Sequence, residues 1–440
     1  MAASETALHE VAKFGDKPTT ADLDRCVHCG LCLNACPTYR VLGVEMDSPR
    51  GRVYQMVQVS SGTEEINPDY IEHLDLCLAC RACESACPSG VQYGRLIEAA
   101  RAEIENKTAR PWHARLARNL IFQWLLPSRA GLQAAAAMLW FYQRTGLQRL
   151  IRNTHFLTGR LADIEALSPA AEFPTFFRQY GKVFPAEGER RYKVALLGGC
   201  IANVSFARLN EATVRVLQKN GCEVHVPDGQ TCCGALHVHA GMREQARMLA
   251  RRNIDALIGR GYDAIITNAA GCGSTLKEYD ELLEHDAEYR GRAREFRRLM
   301  KDINEFLATI ELNRAGLSPL PYRVTYQDSC HLAHGQKIRA APRQLLRAVP
   351  GLILREMPNA DICCGSAGIY NVVQNAMAME ILERKMASVN LVDPDVIVTA
   401  NPGCMIQLRA GAMLHGRGQR VAHVVEILDE AYAAAPGNQA

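Results

Sequence analysis

Apolar positions in the first hundred residues recur at helical spacing. In "SPRGRVYQMVQV", Val53, Met56 and Val57 share one face, with Ser48 as N-cap and Pro49 at the first helical position. "NPDYIEHLDL" repeats the device with Asn67 and Pro68 ahead of Ile71 and Leu74. "YGRLIEAARAEIE" continues as a further helix, and "ARLARNLIFQWLLP" and "AAAAMLWFYQRTGLQRLIRN" predict two more, each apolar on one side and cationic on the other. The second half changes period. Short β-branched runs, "YKVALLGGC", "AIITNAAGC", "YRVTYQDSC" and "VIVTANPGC", alternate with helical stretches such as "REQARMLARRNIDAL" and "NAMAMEILERKMA". That alternation predicts α/β layers around parallel sheets.

The strand-like runs belong to an internal duplication. Cys200, the adjacent pair Cys232 and Cys233, and Cys272 recur as Cys330, Cys363 with Cys364, and Cys404, at offsets of 130, 131 and 132 residues. The four single cysteines follow predicted strands, where open α/β sheets usually bind ligands. Neighbouring cysteines bridge each other only with strain. Four thiolates per repeat instead form a soft-ligand cage for an iron–sulfur cluster or zinc, and Gly234 or Gly365 lets the backbone turn behind each pair. Inert buried cysteines are common singly but explain eight in register poorly. Cys222 lies outside the pattern and reads as core. His331 and His334 follow Cys330, where the first repeat has Ile201 and Val204. Proton handling or quinone contact is one reading of this asymmetry, and local packing is the other; His237 and His239 are weaker candidates.

Composition narrows the class. The chain has 440 residues, fits two to four domains, and carries 17 cysteines at a net charge of +3. A near-neutral balance does not point to nucleic acid. No run approaches the roughly 18 apolar residues needed to span a bilayer, so membrane contact should be peripheral. The opening residues lack an apolar signal region, which predicts a cytoplasmic protein. In a reducing compartment many cysteines read as metal ligands.

Two runs are specific. Cys26-x2-Cys29-x2-Cys32-x3-Cys36-Pro37 and Cys77-x2-Cys80-x2-Cys83-x3-Cys87-Pro88 match the bacterial ferredoxin spacing, in which the fourth cysteine ligates the other cluster. Cys26, Cys29, Cys32 and Cys87 are therefore assigned to one [4Fe–4S] cluster, and Cys77, Cys80, Cys83 and Cys36 to the second. Structural zinc would explain neither the third cysteine, the x3 spacing nor the prolines. His28 reads as a loop residue tuning polarity near the first cluster. The helical connection between the runs resembles the ferredoxin domain of respiratory iron–sulfur subunits.

From Lys107 through Ala162 there is no Asp or Glu, while eight arginines and all three tryptophans fall there. Such helices suit the headgroup region of an anionic membrane. Packing within the chain, or docking to a soluble subunit, is the alternative.

The duplicated "CCG" unit behind a ferredoxin-type module, with "CVHCGLCLNACPTY", "DSPRGR" and "SCHLAHGQ", resembles the iron–sulfur subunits of bacterial glycolate oxidase over nearly the whole chain. Related families include heterodisulfide reductase, lactate-utilisation and anaerobic glycerol-3-phosphate dehydrogenase subunits. The resemblance implies a helical ferredoxin domain over 1–105, a basic helical linker over 106–190, and cysteine-rich α/β repeats over 191–318 and 319–440. It further implies an electron-transfer subunit that passes electrons from FAD-binding partner subunits oxidising glycolate toward the membrane quinone. The place would be the cytoplasmic face of the bacterial inner membrane. Relatives with noncubane clusters continue the third motif as CxxC. Here "CGST" and "CMIQ" leave four thiolates, enough for a cubane cluster or zinc. No G-x-G-x-x-G joins a strand to a helix, so flavin is expected only on partners. An equivalent lactate or glycerol-3-phosphate dehydrogenase subunit, a thiol-disulfide reductase and a zinc-bound scaffold remain alternatives.

Overall fold

Proline and a polar cap start the two helices that frame the first module. The Ser48 hydroxyl accepts from Gly51 N at 3.0 Å and opens Pro49–Ser60, and Asn67 accepts from Tyr70 N at 2.8 Å and opens Pro68–Asp75. The computed structural model describes residues 16–154 and 157–434. Between Asp16 and Lys107 its regular elements are helices, closed by Tyr93–Lys107. Val53, Met56, Leu74, Leu96, Ile97 and Ile104 form their shared core.

The middle segment holds helices Trp112–Asn119, Arg129–Arg144, Leu147–Asn153 and Arg160–Ala166, with a π-helical turn over Leu120–Leu125. The second linker helix is thus broken where one continuous helix was expected. Gly146 takes φ +83° there, a conformation open to glycine without a Cβ penalty. The cationic side is also largely consumed within the chain. Arg110 and Arg118 pair with Glu105 at 2.9 and 3.0 Å, and Arg152 pairs with Glu165 at 2.6 Å. Arg129 donates to the Phe177 carbonyl at 2.8 Å and stacks over Phe177 and Tyr180. The acids lie just outside the acid-free stretch. Part of the apolar side, by contrast, faces outward: Trp112 and Trp124 are 72% and 71% exposed, with Leu116 and Leu120 exposed on the same segment.

Two sheets follow. The first contains β1 (Val183–Phe184), β2 (Tyr192–Leu196), β3 (Cys222–His225), β4 (Ala264–Thr267) and β5 (Met300–Asp302) in the order β1-β3-β2-β4-β5. All its pairings are parallel except the β1–β3 edge. The second contains β6 (Arg323–Tyr326), β7 (Ile353–Leu354), β8 (Val396–Thr399) and β9 (Arg420–His423) in the order β7-β6-β8-β9, parallel throughout. Central strands β4 and β8 are buried along their whole length, so they read as unbroken apolar runs. Helix Ala207–Lys219 of the first repeat packs on Val424–Ala433 of the second. Arg215 clamps Asp429 with bonds of 2.9 and 2.7 Å across this seam. One apolar core therefore runs from sheet to sheet. Cys222 is fully buried in it, as expected for a cysteine outside the repeat pattern.

Candidate functional site

The two ferredoxin-type loops are built alike. In each CxxC the residue before the second cysteine has positive φ, His28 at +54° and Ala79 at +51°. The residue after that cysteine repeats it, Gly30 at +83° and Arg81 at +63°. Left-handed backbone at three non-glycine positions is unfavourable and persists where the surroundings fix it. It curls each loop around a hollow, and Ala79 N donates to Cys77 Sγ at 3.3 Å.

Cys26, Cys29, Cys32 and Cys87 line one cleft, together with His28. Cys36, Cys77, Cys80 and Cys83 line a second hollow. Each hollow thus receives three thiols from one run and at least one from the other. Cys83 also borders the first cleft, so it stands between the two. The first cleft opens outward, since Cys29 is exposed, whereas all four cysteines of the second are buried. Burial pushes the Cys80 and Cys83 thiols well above the ordinary range.

Residues that no spacing rule marked surround the second hollow. Arg52 is 1% exposed, and its guanidinium donates to the His73 carbonyl at 2.7 Å and to Thr38 Oγ1 at 3.2 Å. It reaches Cys36 Sγ at 4.0 Å, and Tyr93 Oη donates to Cys77 Sγ at 3.6 Å. Arg52 sits in "DSPRGR", so the motif carried a signal; Tyr93 carried none.

In the repeats, Cys200 and Cys330 each stand four residues beyond their strand, and Cys272 and Cys404 five beyond theirs, within helices Ala270–Lys277 and Pro402–Leu414. The vicinal pairs precede Gly234 and Gly365, at φ +83° and +92°. Thiol contacts run in one order in both: Cys200–Cys232–Cys233–Cys272, and Cys330–Cys363–Cys364–Cys404. The first of these contacts is a Cys232 to Cys200 sulfur distance of 3.5 Å. Hydrogen bonds within the second set hold Cys363 and Cys404 below the usual thiol range, whereas Cys200 and Cys233 of the first lie above it. Among the described residues no three Cys, His, Asp or Glu side chains converge as around a single metal ion. Cluster ligands surround a cube with one thiolate per iron and need not converge. The donor sets therefore fit iron–sulfur clusters by chemistry and number.

The repeats have different neighbours. Cys330 and Cys363 share an apolar cluster with Cys80 and Leu78 of the ferredoxin-type module. Cys200 and Cys232 instead pack with Phe122, Leu126 and Phe177. The second-repeat histidines join modules. His331 Nε2 lies 3.1 Å from the Ala79 carbonyl, and His334 bonds Ser85 and the Asp361 carbonyl, both at 2.9 Å. Burial holds both imidazoles below their ordinary range, His331 at about 4. Both side chains thus pack between modules. His237 is likewise buried, 2.7 Å from the Phe122 carbonyl.

Comparison with known proteins agrees with this architecture. The 4Fe-4S dicluster domain matches residues 22–91, and the cysteine-rich domain matches 194–277 and again 324–409. The linker region of the glycolate oxidase iron–sulfur subunit matches 113–168. A hypothetical protein of known structure from Helicobacter pylori shares the fold alone, at TM-score 0.52 and 9% identity over 88% of this chain and 68% of that one. A Bacillus subtilis protein named as a probable glycolate oxidase iron–sulfur subunit is 40% identical over 95% of this chain and 96% of its own. The Escherichia coli glycolate oxidase iron–sulfur subunit is 34% identical over 97% and 99%. With that identity carried through both cysteine runs, the linker and both repeats, the chain belongs to the family of glycolate oxidase iron–sulfur subunits.

Proposed function

We propose that this chain is the electron-transfer subunit of a glycolate oxidase, holding two [4Fe–4S] clusters in its N-terminal module and further clusters in its repeats. The observation that carries this reading is the crossing of the cysteine runs: Cys87 joins the three thiols of the first run at one hollow, and Cys36 joins the three of the second run at the other. Thiolate-bound clusters supply one-electron transfer with little rearrangement. The protein's part is to hold the thiolates, exclude water and tune charge. Buried Arg52, Tyr93 and the Ala79 amide do this around the second hollow, while exposed Cys29 leaves the first open toward a partner. Glycolate oxidation then belongs to FAD-binding partner subunits, and electrons pass on to a membrane quinone. The functional units proposed are 1–105, 106–190, 191–318 and 319–440.

The exposed Trp112, Leu116, Leu120 and Trp124 favour peripheral attachment to an anionic membrane surface. Among the described residues no helix is long and apolar enough to cross a membrane.

The test is metal analysis and EPR of the full chain after anaerobic reconstitution. At least about eight irons are expected, two cubes of four. Cys36→Ser and Cys83→Ser should damage the same EPR signal, and Cys87→Ser the other. Zinc in place of iron, or Cys36→Ser damaging the signal that depends on Cys26, would overturn the assignment.

A further inference from the structure

The duplication allows the two cysteine-rich sites to be compared position by position. Behind each vicinal pair runs a helix, Arg243–Leu257 in the first repeat and Asn375–Val392 in the second. Their buried faces correspond at an offset of 132 residues: Ala246 with Ala378, Leu249 with Ile381, Ala250 with Leu382, Ile254 with Met386. Each glycine after the pair confirms the register, since a Cβ on Gly234 would meet Ala246 and one on Gly365 would meet Ala378. One pair breaks the match in chemistry. Asn253 corresponds to Lys385, and both are buried.

Asn253 is a neutral prop. It donates to the Cys232 carbonyl at 3.1 Å and accepts from Thr231 N at 2.8 Å. Lys385 is 3% exposed, and its ammonium donates to the carbonyls of Asn359 at 2.6 Å and Ala360 at 3.3 Å. Both bonds go to backbone carbonyls, so no carboxylate neutralises it at contact. It lines a cleft with Cys363, Ile381, Arg384 and Pro37, Arg40 and Val41 of the first module. The negative charges that act on it most strongly are Cys364 and Cys363, then Asp361 and Asp328. A buried cation costs several kcal/mol in desolvation unless opposite charge repays it. The thiolates of Cys363 and Cys364 lead the opposite charges that act on it.

We propose that Lys385 is the fixed counter-charge of the second cysteine-rich site, making a redox centre held there more readily reduced than one held by the first. This rests on the reading that the repeats hold iron–sulfur clusters. Reduction adds a negative charge, and cluster potentials follow the net charge around them. In a dry interior a unit charge beside the site acts far more strongly than in water. The site so tuned is the one beside the ferredoxin-type module, where Cys80 packs with Cys330 and Cys363.

The experiment uses the full chain, reconstituted anaerobically, with iron and zinc analysis and an EPR-monitored redox titration. Cys363→Ser identifies the signal of the second site by its loss. Lys385→Gln, which keeps a donor for Asn359, should shift that signal to lower potential with iron content unchanged and other signals unmoved. Lys385→Arg should keep it near the wild-type position. A fully loaded Lys385→Gln with an unmoved midpoint overturns the proposal and leaves the cluster reading intact. If Lys385→Gln and Lys385→Met both lose the iron while Lys385→Arg keeps it, a charge is required and the proposal stands; equal loss from Lys385→Arg overturns it. A Cys363→Ser chain that loses no iron signal, or that releases zinc, refutes the cluster reading of this repeat and the counter-charge with it.

Discussion

Arg52→Met removes the most deeply buried cation of the N-terminal module while keeping similar apolar volume. Three interactions go at once: the 2.7 Å bond to the His73 carbonyl, the bonds to Thr38 Oγ1 at 3.2 and 3.3 Å, and the 3.4 Å contact with Asp47. Side-chain exposure of 1% and 6% for Arg52 and Asp47 means that solvent screens little of this. Stranding one partner of a buried pair costs about 3–5 kcal/mol. The low end applies, because Asp47 keeps a 2.9 Å contact with His73. Native-state hydrogen exchange on the intact chain reads the loss directly. Protection across helix Pro49–Ser60 should fall by about two orders of magnitude, at one per 1.4 kcal/mol. Adding Asp47→Asn should recover about 1 kcal/mol or more, since the stranded charge is then gone. Protection within tenfold of wild type would refute the reasoning. Arg52 would then be a spectator beside Cys36.

Acid should weaken the second repeat through His423, whose buried imidazole is held at about 4, below the ordinary 6.5, chiefly by desolvation. The unfolded chain takes up that proton first, so this stability is full above about 6.5 and is lost as pH falls toward 4. His423→Asn keeps a cap acceptor for Val425 N and should flatten this part of the acid-melting curve; an unchanged slope refutes it. Gly365→Ala should harm iron retention and thermal stability more than Gly234→Ala. Both need left-handed backbone, but the new methyl lies 2.5 Å from Ala378 O at Gly365 and 3.6 Å from Ala246 O at Gly234. Equal losses would show that φ alone matters. Trp112→Ala and Trp124→Ala should each weaken retention on anionic vesicles by about tenfold, as loss of a buried aromatic requires. Unchanged retention would place that face against protein.

Local chemistry was legible wherever it is local. Ser48-Pro49 and Asn67-Pro68 marked helix starts because cap and proline act within one turn. The runs ending before Cys200, Cys272, Cys330 and Cys404 marked four strands because buried β-branched runs have few other uses. Short strands escaped: β1 and β7 have two residues each, too few to show a period. The linker's pairings were hidden for a different reason. An acid-free segment looks unpaired, yet Glu105 and Glu165 stand just beyond its ends and meet its arginines in space. Long-range partners left no mark at all. Nothing in the sequence joins His331 to Ala79, or Lys385 to Cys363, until the fold brings them together. The duplication was the exception, because its register exposes Lys385 once Asn253 is known to be buried.

The loop that carries Cys77 and Cys80 is clasped by parts of the chain made much later. His331 bonds the Ala79 carbonyl, Tyr370 donates to the Leu76 carbonyl at 2.9 Å, and Arg81 reaches Ser274 and pairs with Glu278. The Cys26–Cys32 loop is tied inside its own module, by Arg50 donating to the His28 carbonyl at 3.0 Å. A nascent chain emerging from the ribosome can therefore shape its first loop early. It cannot close the second until both repeats have been synthesised and docked. The shape of the inner loop thus depends on contacts from the whole chain, and that of the outer loop on contacts within its own module.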